Sequence, residues 1–194
     1  MSFYPAKISE KFHAPRNAGK AAEANATGTS ATFVCGAVLR LTLRIDRQSK
    51  KIEQAKFKTS GCGYLIAAAD ALAGNVAGKH LNEPHSLDRQ LLKSEIETEL
   101  GAFPESRKHC LNLATETLQT ALADFRALLI EEFTGEKALI CTCFGVSEET
   151  IENLVFKDAL ATVEEVTDAC NAGGGCGSCQ PLIQEIIDST AHGL

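Results

Sequence analysis

The C-terminal part of the chain carries four cysteines in two tight clusters, Cys141-Thr142-Cys143 and Cys176-Gly177-Ser178-Cys179. A segment of roughly sixty residues can build only a small hydrophobic core and commonly needs a metal centre to be stable. Four thiolates from two short clusters can hold a [2Fe–2S] cluster, and the neighbouring glycines let the backbone approach the sulfurs. We therefore predict a [2Fe–2S] site with Cys141, Cys143, Cys176 and Cys179 as its ligands.

Zinc is the alternative at this site, because four thiolates suit zinc as well as iron. Structural zinc sites favour two or more residues between paired ligands. The one-residue gap between Cys141 and Cys143 fits that spacing less well. Spacing alone leaves both metals open.

The charge balance excludes some partners. The formal net charge is -6, whereas nucleic acids and anionic membranes require a basic surface. No apolar run approaches the roughly 20 residues of a membrane helix. The first residues lack the pattern of a secretory signal. We expect a cytoplasmic protein, in which eight cysteines indicate metal or sulfur chemistry more than disulfides.

The first two-thirds of the sequence predict an α+β fold. Apolar residues at the odd positions from Phe33 to Ile45 indicate a half-buried strand, and Ile52 to Thr59 a returning antiparallel strand with Ala55 and Phe57 inward. Three helices follow, at about 64–77, 86–100 and 104–133. Ser86 is the predicted N-cap of the second and Pro104 belongs to the first turn of the third.

The last part of the chain has no strand pattern, so we predict a small all-helical domain. Ser147 is the expected cap of its first helix, and Thr162 with Glu165 forms a capping box for the second. Pro181 opens the third. The predicted boundaries are 1–133 for the first domain, 134–138 for a linker and 139–194 for the second domain.

Three further cysteines are scattered through the first domain. Cys62 precedes a helix N-terminus, whose partial positive charge favours the thiolate, and Cys110 lies near another helix start. Together with Cys35 and His109 they would make a four-ligand site if strand ends and helix starts converge. Isolated cysteines are more often buried core residues. The adjacent His109-Cys110 and the Gly61-Cys62-Gly63 triplet bring the two interpretations level, so the residues alone do not decide between them.

Residues 4 to about 128 resemble the iron–sulfur assembly scaffold family of IscU and the N-terminal domain of NifU. The stretches that carry the resemblance are Pro15-Arg16-Asn17, Cys35-Gly36, Phe57-Lys58-Thr59-Ser60-Gly61-Cys62-Gly63, Lys79-His80-Leu81-Asn82-Glu83 and His109-Cys110. The resemblance implies an antiparallel sheet packed with helices. It also implies that Cys35, Cys62, His109 and Cys110 hold a transient [2Fe–2S] or [4Fe–4S] cluster, built from iron and desulfurase-derived sulfur.

Two departures from the family pattern stand out. The family's Cys-Gly-Asp is Cys35-Gly36-Ala37 here, so a potential oxygen ligand and a negative charge are missing. We predict a cluster that is less readily released, or altered iron entry.

The family's Leu-Pro-Pro-x-Lys chaperone motif is replaced by Phe103-Pro104-Glu105-Ser106-Arg107, which puts recognition by an Hsp70-type chaperone in question.

The segment from Leu139 to Ile187 resembles the bacterioferritin-associated ferredoxin (BFD) type of [2Fe–2S] domain, which forms the central domain of NifU. Its pattern of Cys-x-Cys, a helical stretch and Cys-x-x-Cys is complete here. The resemblance implies a permanent, redox-active cluster. Cys170 and the remaining histidines, His13, His80, His85 and His192, are not expected to have a role at either site.

Together these patterns predict a scaffold that assembles and transfers clusters and is not an enzyme. The expected partners are a cysteine desulfurase, recipient apo-proteins, an electron donor and a second copy in a homodimer, with no nucleic acid or membrane. Two alternatives are an electron-transfer or regulatory [2Fe–2S] module whose first domain docks a partner, and a protein that binds zinc throughout.

Overall fold

The computed structural model describes residues 3–81, 86–131 and 138–192. These residues form two compact units. The N-terminal unit contains residues 3–80 and 86–125, and the C-terminal unit consists mainly of residues 126–131 and 138–192. The predicted boundary after residue 133 and most of the predicted linker lie outside the described residues. No helix in the described ranges is both long and apolar enough to cross a membrane.

A three-stranded antiparallel sheet organises the N-terminal unit, in the order β1 (Ala26–Ala31), β2 (Val38–Ile45) and β3 (Ile52–Thr59). Leu41 of β2 lies opposite Gly28 on one side and Phe57 on the other. The odd positions of β2 are buried, as alternation predicts. Ala55 and Phe57 of β3 are buried as well, which confirms the predicted returning strand.

The strand predicted from Phe33 to Ile45 is β2, and its predicted start was wrong, because β2 begins at Val38. The preceding residues form a loop closed by two backbone hydrogen bonds. The Gly36 N–H donates to the Thr32 carbonyl and the Thr32 N–H donates to the Ala37 carbonyl, both at 3.0 Å. Gly36 has φ +67°, a left-handed conformation that glycine adopts without strain. We call residues 32–37 the Cys35 loop.

Strand β1 was not predicted, since its sequence Ala-Thr-Gly-Thr-Ser-Ala lacks the usual large apolar residues. Its small residues have a packing reason. A Cβ atom on Gly28 would lie 2.2 Å from the Thr117 carbonyl oxygen and 2.6 Å from the Ala121 nitrogen. Glycine at this position therefore lets the strand lie directly against the long C-terminal helix of the unit.

Four helices and one short turn complete the N-terminal unit. They are α1 (Ala6–His13), α2 (Gly63–Val76), α3 (Arg89–Leu100), a 3₁₀ turn (Glu105–Arg107) and α4 (Lys108–Glu131), which belongs to this unit as far as Phe125. The predicted cap at Ser86 was wrong. Asp88 caps α3 by accepting hydrogen bonds from the Gln90 and Leu91 N–H groups, while the Ser86 hydroxyl donates to the His80 carbonyl.

Helix α2 is the central helix of the N-terminal unit. Ten of its 14 residues are buried, and alanines let neighbouring elements pack closely around it. Asp70 on this helix is fully buried. Its carboxylate pairs with the Lys11 ammonium at 2.9 Å and accepts a hydrogen bond from the Asn17 N–H at 2.7 Å. These contacts tie the N-terminal segment to the middle of α2.

The C-terminal unit contains a small hairpin and three helices: β4 (Leu139–Cys141), β5 (Val146–Ser147), α5 (Glu148–Asp158), α6 (Val163–Cys170) and α7 (Gln180–His192). The three helices, the Ser147 cap and the Thr162–Glu165 capping box are confirmed. The hairpin was not predicted, because its strands are too short to show alternation. It brings the Cys141 backbone opposite Val146 and turns the chain sharply through Cys143.

Candidate metal centres

The candidate site of the N-terminal unit is built from one loop and two helix starts. Cys35 lies in the Cys35 loop, Cys62 is the N-cap of α2, and His109 and Cys110 lie in the first turn of α4. The Cys35 sulfur is 3.6 Å from the His109 Nε2 atom. The Cys62 and Cys35 sulfurs are near enough to Cys110 to help raise the pKa of its thiol. The fold therefore brings the four predicted residues into one neighbourhood, with a direct contact between Cys35 and His109.

The three thiols differ in their access to solvent. Cys35 is exposed, Cys62 is half-buried and Cys110 is buried, with 1% of its surface accessible. The difference follows from where each residue lies: Cys35 is on a projecting loop, whereas Cys110 faces inward on a helix that packs against the sheet. One thiol can meet a partner molecule directly, while the other two line the interior of the site.

Burial raises the pKa of the Cys110 thiol to about 12, and the nearby Cys62 and Cys35 sulfurs add to the effect. Arg107 opposes this shift with its positive charge. Its guanidinium donates to the Cys62 sulfur at 3.9 Å and lies 6.0 Å from the Tyr64 ring centre. Arg107 was not predicted as a site residue. The one sequence feature that could have indicated it is its position two residues before His109.

The four cysteines of the C-terminal unit lie in two turns. Cys141 ends β4, Cys143 lies in the hairpin turn, and Cys176 and Cys179 lie in the loop before α7. The Cys143 and Cys176 sulfurs are 3.5 Å apart, and Cys141 and Cys143 are close enough to shift each other's pKa. Three of the four are among the core residues, with accessible fractions of 2% for Cys141, 5% for Cys143 and 7% for Cys179.

Glycines shape the loop that carries the second cysteine pair. A Cβ atom on Gly175 would lie 3.1 Å from the Cys143 Cβ and 3.2 Å from its sulfur, so a side chain there would press on the thiol. Gly173 has φ +86°, and its backbone lies near enough to Cys141 to lower the pKa of that thiol. The loop thus packs its backbone against both sulfurs of the first pair, as the glycine-rich sequence indicated.

The closeness of Cys141 and Cys143 shifts the pKa values of the two thiols in opposite directions. The hydrogen bond from Cys143 lowers the pKa of Cys141, with support from the Gly173 and Phe144 backbone. The same bond, followed by burial, raises the pKa of Cys143 to about 12. Cys141 is therefore the first of the pair to become a thiolate, which is the form that binds a metal.

The contacts between candidate ligands join two residues at a time. Within residues 3–81, 86–131 and 138–192, no group of three or more His, Cys, Asp or Glu side chains is arranged so that it could hold a metal ion. The donor chemistry nevertheless fits the predicted groups: four thiols beside a close backbone suit a [2Fe–2S] cluster, and three thiols with an imidazole suit a cluster that is exchanged. The ligand assignments stay predictions.

The remaining cysteine and histidines lie apart from these contacts. Cys170 ends α6, donates to the Val166 carbonyl at 3.1 Å, and has a pKa raised by burial. The ring nitrogen Nδ1 of His13 lies 2.7 Å from the Ser9 carbonyl, and that of His80 lies 3.0 Å from the Ser49 carbonyl. The side chains of His85 and His192 lie outside the described residues.

Two family models match the chain. Residues 3–131 match the NifU-like N terminal domain, and residues 139–189 match the BFD-like [2Fe-2S] binding domain. The matched ranges contain all eight residues singled out from the sequence. The residues of each candidate site therefore lie within the range that a single family model matches.

Similar proteins include the nitrogen fixation protein NifU of a Nostoc species, which is 36% identical over 95% of this chain and 63% of that protein. The iron-sulfur cluster assembly scaffold protein IscU of Aquifex aeolicus is 34% identical over 81% of this chain and 97% of its own length. The chain thus spans somewhat less than two-thirds of its NifU relative. A crystal structure of a NifU-like N-terminal protein from Brucella abortus shares the fold, with a TM-score of 0.50 at 18% identity over 64% of this chain and 94% of its own.

Proposed function

The chain belongs to the NifU-like N-terminal domain family, and from this premise we propose that it is a scaffold for iron–sulfur cluster assembly. Cys35, Cys62, His109 and Cys110 are the proposed holders of a cluster built in place and then handed to an apo-protein. The observation that carries this proposal is the 3.6 Å approach of Cys35 to His109, which comes from a segment far away in the sequence and adjoins Cys110. The influence of the Cys62 and Cys35 sulfurs on the Cys110 pKa supports it.

The cluster on the N-terminal unit is the cargo of the protein. Its sulfur comes from a cysteine desulfurase, and its iron enters as free or delivered iron. Because one ligand is exposed and sits on a loop, the site can open for loading and release without unfolding the sheet or α2. The protein gives up its product and must be recharged, so the proposed role is that of a carrier and not of an enzyme.

The C-terminal unit is the proposed site of a permanent [2Fe–2S] cluster held by Cys141, Cys143, Cys176 and Cys179. When bound, such a cluster supplies one-electron redox chemistry. Three of the four cysteines, all except the exposed Cys176, belong to an apolar core that includes Phe144 and Ile183. Burial of this kind restricts water and helps to retain the centre.

Substitution of one ligand at each site tests this division of roles. In anaerobically purified full-length protein, we expect iron, acid-labile sulfide and visible absorption to persist in Cys35→Ser and to be lost in Cys143→Ser. Adding desulfurase, L-cysteine and iron, with dithiothreitol as the reductant that turns sulfane sulfur into sulfide, should produce further colour in the parent protein that a chelator removes. The same addition should produce no such colour in Cys35→Ser.

Cys170→Ser is the matched control, because it removes a half-buried thiol of the C-terminal unit that is not a proposed ligand. We expect it to keep both absorptions. Zinc in place of iron in the purified protein would contradict the cluster assignments. If the parent protein shows the visible absorption of the permanent cluster but gains none with desulfurase, L-cysteine and iron, an electron-transfer module is favoured over a scaffold.

An electron role for the permanent cluster follows from its place in the same chain as the scaffold. Forming [4Fe–4S] from two [2Fe–2S] units, or sulfide from sulfane sulfur, requires electrons. We expect Cys143→Ser to slow desulfurase-dependent assembly, or to stop it at [2Fe–2S], when a redox partner is the sole reductant. Dithiothreitol should restore the sulfide-forming step. Equal rates and cluster types in the two proteins with the redox partner alone would contradict this role.

The remaining partners follow from the same proposal. They are the desulfurase, the recipient apo-proteins, an electron donor to the C-terminal unit and a second copy of the chain, all within the cytoplasm. Size-exclusion chromatography with light scattering on the full chain measures its mass in solution and so tests whether it forms a homodimer.

A further inference from the structure

We infer that the Ser178 hydroxyl donates a hydrogen bond to the Cys176 sulfur when that sulfur is a cluster ligand, and so raises the reduction potential of the permanent [2Fe–2S] centre. This inference rests on the proposed function of the C-terminal unit. It goes beyond that function by giving a tuning role to a residue that is not itself a ligand. In the sequence, Ser178 is only one of the two residues between a pair of cysteines.

The first observation is a direct contact. The Cys176 sulfur and the Ser178 oxygen are 3.4 Å apart and form a hydrogen bond. A free thiol and a hydroxyl can each donate, because each carries a proton. A cysteine that binds a metal is a thiolate and has no proton. Once Cys176 is a ligand, the hydroxyl is therefore the only possible donor of this pair.

The second observation is that the backbone of the loop holds this contact in place. Gly177, between the two residues, has φ +73°, a left-handed conformation that glycine adopts without strain. Its carbonyl accepts a hydrogen bond from the Gln180 N–H at 3.1 Å. The side-chain amide of Gln180 donates to the Gly173 carbonyl at 3.2 Å. Gln180 thus ties together the loop on both sides of Cys176, and Ser178 stays beside the sulfur.

The third observation is exposure. Cys141, Cys143 and Cys179 are buried, whereas Cys176 is exposed. An exposed sulfur has water as its usual hydrogen-bonding partner, and ordering a water molecule costs entropy. The loop already holds the serine hydroxyl in position, so the hydroxyl contributes more than the water that would replace it. Ser178 is exposed as well, so its substitution leaves no cavity in the core.

A hydrogen bond to a ligand sulfur shifts the balance between the two redox states. The reduced state has one more negative charge than the oxidised state, and the ligand sulfurs share that charge. The hydroxyl dipole offsets part of it, so the reduced state is stabilised more than the oxidised state. One electron arrives from the donor protein, and the hydroxyl keeps its proton. A higher potential allows a weaker electron donor to reduce the C-terminal unit.

A redox titration of the full-length protein with its resident cluster tests this role. The protein is purified anaerobically and titrated with dithionite in the presence of mediators. Visible absorption and electron paramagnetic resonance report the oxidised and reduced forms. In Ser178→Ala, we expect the ratio of reduced to oxidised protein at a fixed applied potential to fall about tenfold, which is about 59 mV for a one-electron couple. Ser178→Thr keeps a hydroxyl, so its potential should stay close to that of the parent protein.

Ser189→Ala is the matched control, because it removes a serine hydroxyl of the same unit that donates to the Ile186 carbonyl at 2.9 Å. Its potential should equal that of the parent protein. Ser178→Gly repeats the main test without the alanine methyl group, and the iron content per chain shows that each variant is loaded.

Two results would overturn the role of Ser178 and leave the proposed cluster standing. One is an unchanged potential in both Ser178→Ala and Ser178→Gly. The other is an equal fall in potential in Ser178→Thr or in Ser189→Ala, since neither substitution removes the hydroxyl beside Cys176. Parent protein that carries neither iron nor visible absorption would overturn the permanent cluster itself, and this role with it.

Discussion

Replacing Cys143 with serine is expected to remove the resident cluster and to destabilise the C-terminal unit strongly. Cys141, Cys143 and Cys179 form part of a core that contains only about a dozen buried residues. A ligand present at a thousand times its dissociation constant stabilises the folded state by about 4 kcal/mol. Losing the cluster should therefore speed hydrogen exchange in residues 138–192 by about three orders of magnitude, since each 1.4 kcal/mol is tenfold.

Hydrogen-exchange mass spectrometry of the full-length protein measures this effect unit by unit. The strands β1, β2 and β3 serve as an internal reference, and their protection should not change. Cys170→Ser is the matched substitution within the same unit: its hydroxyl can still donate to the Val166 carbonyl, so we expect a change below about tenfold. Equal protection in Cys143→Ser and parent protein would show that the unit does not depend on a bound centre.

Replacing Ala37 with aspartate is expected to release the assembled cluster faster, by about tenfold or more. A cluster held by three thiolates and an imidazole carries net negative charge. A carboxylate about 4 Å away would repel it by as much as about 4 kcal/mol at an effective dielectric constant near 20, and about 1.4 kcal/mol suffices for tenfold. The aspartate also offers an oxygen ligand to iron. Transfer to an apo-ferredoxin, followed by circular dichroism in the visible range, measures the rate.

Ala37→Asn separates charge from shape, because asparagine has nearly the same volume and no charge. Ala37 is 4% exposed, so either side chain must find a polar partner, and both variants share that cost. We expect Ala37→Asn to release its cluster at close to the parent rate. Transfer at the parent rate from Ala37→Asp would refute the effect predicted for the missing carboxylate.

Local patterns predicted the parts of the fold that depend on neighbouring residues. Ile52–Thr59 formed the expected strand, and the Thr162–Glu165 capping box began α6 as its spacing indicated. Each prediction rests on contacts within one strand or one helical turn. The errors arose where distant packing decides: Phe33 continued an apolar alternation but is exposed in a loop, and Gly28 lies in a strand because Thr117 and Ala121 leave no room for a side chain.

The sequence by itself determined which residues are the candidate ligands, because cysteine clusters, flanking glycines and helix starts are all local features. It did not rank the thiols, since nothing around Cys35, Cys62 or Cys110 in the sequence reveals how deeply each is buried. Only the tertiary structure decided that Cys35 meets His109 across 74 positions of sequence and that Cys110 is enclosed. Burial and contact are properties of segments that folding brings together, and chain spacing does not encode them.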